Sequence, residues 1–296
     1  MQLSGVIDGM KSFEKATIKM KDPAKVANMV SQLVSEGPSK LQVVTDFDRT
    51  LTRTRGEAGE RIADTCYEIL DRSDLMPQMY RDETNRLRDK YYPIEIDPHM
   101  TVAEKVPYAV EWYTQAHEVL IKTGLKKQDL VNMVKDSTAQ FRSGTDRLLE
   151  DLHRLNVPVL IFSAGLGDLI HVMLDQQAKD HDNIKVVSNY MRFDEEGKMI
   201  GFTDEMIHMY NKNENAVHSS SYFERLKGRN NVILMGDNVG DLHMADGVDN
   251  PNVTLKIGFL NQPSEERLAK FLDLFDVVLL DDQTMDLGND IVSRLM

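Results

Sequence analysis

Apolar residues along this chain fall into two kinds of run. Leu41 to Val44, Val157 to Phe162, Val232 to Met235, Val253 to Ile257 and Val277 to Leu280 are short and nearly continuous. Such runs read as strands buried on both faces. Between them come stretches that read as helices: Leu148, Leu149 and Leu152, then Gly165 to Asp175, Tyr222 to Leu226, Asp241 to Ala245, Ser264 to Phe275 and Met285 to Met296. Val186-Val187 reads as one more strand, and Met191 to Phe202 as a hairpin turning at Glu195-Glu196-Gly197. Buried strands alternating with helices predict an α/β fold built on a doubly wound, mostly parallel sheet.

Two stretches break that alternation. Residues 5 to 36 read as helical, with Val26, Met29, Val30, Leu33 and Val34 at helical spacing and Gly37-Pro38-Ser39 as a stop. From Arg53 to about Gly144 strand-like runs give way to repeated helix signals. Leu75, Met79, Thr84, Leu87 and Tyr91 mark one helix, and Thr101 with Glu104 forms a capping box that opens a second. That second helix carries Val110, Tyr113, His117 and Leu120 and is expected to kink or restart at Pro107. Leu130, Met133, Val134 and Phe141 mark a third. The pattern divides the chain into an α/β core, residues 1–52 and 145–296, and a helical insert, residues 53–144, a candidate lid.

Composition narrows the chemistry. A net charge of −13 disfavours nucleic acid or an anionic membrane as a bulk partner, while leaving room for a small phosphorylated ligand held by a local cation. A single cysteine, Cys66, excludes an internal disulfide and a thiolate zinc cluster, which fits a reducing compartment. The N-terminal stretch is charged through much of its length and does not read as a signal peptide. No apolar run approaches the ~18 residues of a membrane span. The expectation is a cytoplasmic monomer.

The candidate chemistry lies where strands end. Asp46 and Asp48, two apart after the Leu41 to Val44 run, point the same way on extended chain and can act as nucleophile and acid/base in phosphoryl transfer; a plain turn after a strand also uses Asp. Gly236-Asp237-Asn238-Val239-Gly240-Asp241 offers hard oxygen ligands suited to Mg²⁺, or a turn with a helix cap. Ser163-Ala164-Gly165 can cradle phosphate oxygens, or be an ordinary strand-to-helix loop. Lys212 can neutralise a transferring phosphoryl group, or be solvated surface. Each alone is ambiguous. Together they fall after core strands or in loops between them, in the order carboxylate pair, serine, lysine, acidic pair.

This set resembles the haloacid dehalogenase-like phosphotransferases, with Asp46 to Thr50 similar to their D-x-D-x-T signature and residues 53–144 placed like a type 1 cap. More narrowly, Tyr91-Tyr92-Pro93-Ile94-Glu95-Ile96-Asp97-Pro98, Glu111-Trp112-Tyr113-Thr114, Val186-Val187-Ser188-Asn189 and Met244-Ala245-Asp246-Gly247 resemble the cytosolic 5′-nucleotidase III (pyrimidine 5′-nucleotidase) family. The resemblance implies a Mg²⁺-dependent hydrolase of nucleoside 5′-monophosphates acting through an aspartyl-phosphate. Asp46 would be nucleophile and metal ligand. Asp48 would be acid/base, with its backbone carbonyl on the metal, and Asp237 the third ligand. Asp241 would orient Lys212. Ser163, Ala164, Gly165 and Lys212 would hold the phosphate. Glu95 would read the base, with Tyr113 and Tyr67 as stacking candidates ahead of Trp112 and Tyr108. The wording around Glu95, and Ala116, look closer to the branch that also uses 7-methylguanosine monophosphate than to the strictly pyrimidine branch. Arg49 stands where the family carries an apolar residue, and residues 54–67 depart from the usual pattern. The alternatives are a related phosphatase for another small phosphomonoester, such as phosphoserine, and a non-catalytic nucleotide-binding regulator.

Overall fold

The computed structural model describes residues 7, 9–63, 65–97, 99–203, 205–212, 225–246, 248 and 250–296. Its centre is a seven-stranded sheet in the order β1 (Ile18–Lys19), β9 (Val277–Leu280), β8 (Val253–Leu260), β7 (Asn231–Gly236), β2 (Leu41–Thr45), β3 (Val159–Leu166), β4 (Ile184–Asn189). All neighbours are parallel except the edge pair β1 and β9. The continuous apolar runs have a physical reason: β2 and β7 are buried along their whole length. Side chains alternate between two cores, with Val43, Ile161 and Ile233 in one and Val44, Leu160 and Leu234 in the other. The mostly parallel α/β sheet expected from the pattern is present. β2 sits between β7 and β3, so Asp46, Ser163 and Asp237 lie at the same end of adjacent strands.

Helices cover both faces: α1 (Pro23–Glu36), α6 (Thr145–Arg154), α7 (Gly167–Gln177), α8 (Glu265–Leu274) and α9 (Asp286–Ser293), in labels that follow the described elements. Between β2 and α6 come α2 (Cys66–Arg72), α3 (Gln78–Glu95), α4 (Val102–Lys122) and α5 (Lys127–Asp136). The hairpin β5 (Met191–Phe193) and β6 (Met199–Phe202) stands apart from the main sheet and packs on α4.

Several expectations need correcting. The helix read over residues 5–36 is confined to α1. Pro23 opens it and the Asp22 side chain accepts from the Lys25 N–H, whereas the chain before it forms a 3-10 turn, Lys11–Glu14, and the edge strand β1. The buried stripe of α3 is Tyr80, Leu87 and Tyr91; Leu75 precedes Pro77 outside the helix, and Met79 is exposed. α4 runs through Pro107 as one helix, with Val110 on its exposed side. Phe141 lies beyond α5, bridged to Thr52 and packed edge-on to Phe47. β3 continues through Ser163, Ala164 and Gly165 to Leu166, so α7 begins later than Gly165. Val239–Ala245 is a 3-10 helix. The helix expected from Tyr222 falls largely outside the described residues.

Candidate active site

The centre of the site is a buried ion cluster at the ends of β2 and β7. Lys212 Nζ donates to Asp46 Oδ1 and, at 3.0 Å, to Asp241 Oδ1. Asp46, Lys212 and Asp241 are all buried. A backbone hydrogen bond from Asp46 N–H to the Met235 carbonyl, 3.0 Å, extends the β2–β7 pairing one residue into the site. Asp241 Oδ2 accepts from the N–H groups of Asp237 (3.2 Å) and Asn238 (3.0 Å), which folds the acidic turn back on itself. Both oxygens of Asp241 are thus engaged, one of them by Lys212. Asp46, Asp237 and Asp241 each bring a carboxylate oxygen within 4.8 Å of the others.

Electrostatics follow from that crowding. Burial raises the Asp46 carboxyl to about 6 against the pull of Lys212. Burial, then Asp46 and Asp241, drives Asp237 well above the carboxylate range. Burial would lower Lys212, but Asp241 and Asp46 outweigh it and hold the ammonium charged. Asp48 rises to about 7 through burial and the neighbouring Asp46. Its Oδ1 accepts from the Cys66 N–H at the start of α2, 2.9 Å, so its side chain turns from the Asp46–Asp237–Asp241 triangle toward the insert.

The turn after Asp46 is held from below. Phe47 is wholly buried, and its carbonyl accepts from the N–H groups of Leu51 (2.9 Å) and Thr52 (3.1 Å). Arg49 has φ 62°, a left-handed conformation that a side-chain-bearing residue adopts only when partners hold it. Those partners are Arg142, whose Nη2 donates to the Arg49 carbonyl at 2.6 Å, and Asn261, which donates to it at 3.0 Å. Arg142 is fully buried and also donates to the carbonyls of Thr50 (2.7 Å) and Asp282.

Beside the cluster, Ser163 is buried and its hydroxyl accepts from the Gly165 N–H at 3.0 Å. Gly165 has a steric reason: a Cβ there would meet Asp48 Oδ2 at 2.9 Å and Ser163 Oγ at 3.1 Å. Under the insert a cleft is lined by Glu95, Lys105, Tyr108, Trp112, Tyr113 and Tyr210, among others. Burial raises the Glu95 carboxyl, with Arg49 and Lys105 drawing it down. Trp112 stacks on Tyr91, ring centroids 5.8 Å apart. Tyr67 lies outside this lining. It meets Tyr113 edge-on at 6.2 Å, and its hydroxyl sits 3.0 Å from His117 Nε2.

The structure therefore gathers Asp46, Asp237, Asp241 and Lys212 in one cluster, with Asp48, Ser163 and Gly165 against it and Glu95 and Tyr113 in the adjoining cleft. Ala164, between Ser163 and Gly165, is half-buried. Arg142, Tyr210 and Asn189 escaped the sequence reading. Asn189 closes the Val186-Val187-Ser188-Asn189 segment that carried the family resemblance, and Arg142 had no local signal.

An acidic pair after the central strand of such a sheet, with serine, lysine and a second acidic turn on neighbouring loops, defines a haloacid dehalogenase-like hydrolase. A probable phosphoserine phosphatase from Vibrio cholerae shares the fold, with a TM-score of 0.53 at 12% identity over 98% of this chain and 83% of its own. The profile of the pyrimidine 5′-nucleotidase (UMPH-1) family matches residues 49–296, and the chain belongs to that family of 5′-nucleotidases. The Homo sapiens 7-methylguanosine phosphate-specific 5′-nucleotidase is 44% identical over 282 residues, 95% of this chain and 93% of that protein. A crystal structure of cytosolic 5′-nucleotidase IIIB bound to cytidine superimposes with a TM-score of 0.86 at 37% identity, over 98% of this chain and 97% of that one.

Proposed function

We propose that this 5′-nucleotidase hydrolyses 7-methylguanosine monophosphate and CMP, with Asp46 as nucleophile and residues 53–144 as a cap that selects the base. One observation carries the reading: Lys212 is bonded at once to Asp46 and Asp241 beside an aromatic cleft containing a half-buried carboxylate, Glu95. A carboxylate accepts from the amino edge of cytosine or of 7-methylguanine, and the cationic 7-methylguanine gains further from aromatic faces. The relatives named above act on, or bind, these two kinds of nucleoside.

Asp46 attacks phosphorus, forming an aspartyl-phosphate as the bond to the 5′ oxygen breaks. Asp48, raised to about 7, gives its proton to that oxygen. As carboxylate it then takes a proton from water, whose oxygen attacks phosphorus and restores Asp46. Lys212 balances charge on the phosphoryl oxygens, and the Ser163–Gly165 end of β3 orients them. The residues fit Mg²⁺: the hard carboxylate oxygens of Asp46, Asp237 and Asp241 crowd together, and burial and then the neighbouring carboxylates raise Asp46 and Asp237 despite Lys212. Asp46, Asp237 and the Asp48 carbonyl would hold the ion, which when bound supplies charge neutralisation at the phosphoryl group. The reading includes a cytoplasmic location, which the free, buried Cys66 fits.

Phosphate release from CMP, UMP, AMP, GMP and 7-methyl-GMP with Mg²⁺ tests this. CMP and 7-methyl-GMP should lead, and Asp46→Asn should abolish turnover in a folded protein. Substantial activity in that variant would sink the mechanism.

A further inference from the structure

We infer that Asn189 is a positioning residue that sets the distance between the two halves of the phosphate grip, the irregular Ser163–Gly165 end of β3 and the segment that delivers Lys212. The inference rests on the reading of those residues given above.

The parallel ladder between β3 and β4 is regular up to the Phe162–Val187 pair and resumes only at Leu166–Asn189. The break covers Ser163, Ala164 and Gly165. Buried carbonyls that leave a ladder must find other partners. Side chains from the end of β4 supply them. Ser188 Oγ donates to the Gly165 carbonyl at 2.9 Å. Asn189 Nδ2 donates to the carbonyls of Ala164 at 2.9 Å and Gly165 at 3.3 Å. Ser188 and Asn189 are each 5% exposed.

Asn189 also reaches the other way. Its Nδ2 donates to the Ile207 carbonyl at 2.8 Å, and its Oδ1 accepts from the Ile207 N–H at 2.9 Å. Ile207 opens the short path to Lys212. That path is tight: the Asn211 N–H donates to the His208 carbonyl at 3.1 Å, and Asn211 Oδ1 accepts from the His208 N–H at 2.7 Å. A displacement of Ile207 therefore carries to Lys212. Only an amide offers donors and an acceptor in this arrangement, and an aspartate would set a carboxylate oxygen against three carbonyls. Ser188 touches the cradle alone, so it serves as a control on the same strand.

The test compares Asn189→Leu, Asn189→Ser and Ser188→Ala. Each is assayed with CMP, with an aryl phosphate, and for competitive inhibition by inorganic phosphate and by cytidine. Loss of registry between the two segments should lower kcat for both substrates by about ten- to hundredfold, the scale of an ångström-sized misplacement. Phosphate inhibition should weaken about as much, cytidine inhibition should stay within about twofold, and Ser188→Ala should lose far less. A residue that merely supports the fold would lower the unfolding temperature and the active fraction while leaving the phosphate inhibition constant at its wild-type value. That result in either Asn189 variant overturns the inference. Asn189→Ser, which keeps a hydroxyl, gives the answer if the leucine variant does not fold. Wild-type activity surviving Asp46→Asn would instead show that the reading of the site has failed, whatever Asn189 does.

Discussion

Glu95 is the last residue of α3 and enters the cleft half-buried, its carboxyl raised by the loss of water around it. A carboxylate in that state gains most from a ligand that donates to it, because the donor replaces the missing solvent. Glu95→Ala should raise KM for CMP and 7-methyl-GMP by about ten- to hundredfold, equivalent to roughly 1.5–3 kcal/mol for a hydrogen bond to a charged group. Hydrolysis of an aryl phosphate, which has no base, should change less than about threefold; if both substrates fall equally, Glu95 is structural. The residues around it differ in how legible they were. Asp46, Asp48, Asp237 and Asp241 announce themselves because each pair is fixed by spacing within one loop. Arg142 does not, because its acceptors sit at residues 49, 50, 261 and 282, far off in sequence. Asn189 is hidden for the same reason, its partners lying at residues 164, 165 and 207.

At the level of elements, the site depends on how β7 ends. Gly236 closes that strand, and a Cβ on it would stand 2.5 Å from Asp241 Cβ and 2.6 Å from its Oδ2. Those atoms belong to a side chain pinned by the N–H groups of Asp237 and Asn238 and by Lys212, so it cannot swing aside without giving up its bonds. Gly236→Ala should therefore cost about 1–3 kcal/mol of stability, as overpacking does, measured by denaturant unfolding. Well below its unfolding temperature it should also lose at least about tenfold in kcat, since a displaced Asp241 no longer aims Lys212. Unchanged kcat in a folded variant would remove Asp241 from the role of guiding Lys212. The strands were easy to read because β2 and β7 are buried on both faces, which requires continuous apolar runs. Edge strand β1, two residues long, has no such requirement and vanished into the helical pattern around it. In α3 Leu87 and Tyr91 are buried as the pattern expects, but Met79 misled, since it is exposed while Tyr80 carries the burial.

Across the whole molecule, the insert is joined to the rest of the fold by contacts that no local pattern discloses. α5 packs on α7, with Gln176 Nε2 donating to the Val131 carbonyl at 3.0 Å, and α4 packs on β6. The second of these centres on His117, which the structure buries. Its ring stacks on Phe202 with centroids 3.7 Å apart, and its Nε2 lies 3.0 Å from the Tyr67 hydroxyl. Burial lowers its pKa to about 4 from the ordinary value of 6.5. The folded state therefore keeps the His117 ring neutral, and the unfolded chain takes up the proton first. His117's contribution to stability is complete above pH 6.5 and is lost as pH falls from 6.5 toward 4, at roughly 2.5 kcal/mol by pH 4.5. His117→Gln removes the titration while leaving a polar group toward Tyr67. Near pH 7 the variant should be the less stable protein. Near pH 4.5 the gap should close by about 2 kcal/mol or reverse, because only the wild type is taking up a proton at this position on unfolding. Denaturant midpoints for both proteins at the two pH values check this. A stability gap that stays constant across that range would mean His117 titrates alike folded and unfolded, and that the α4–β6 contact does not exclude water from its ring.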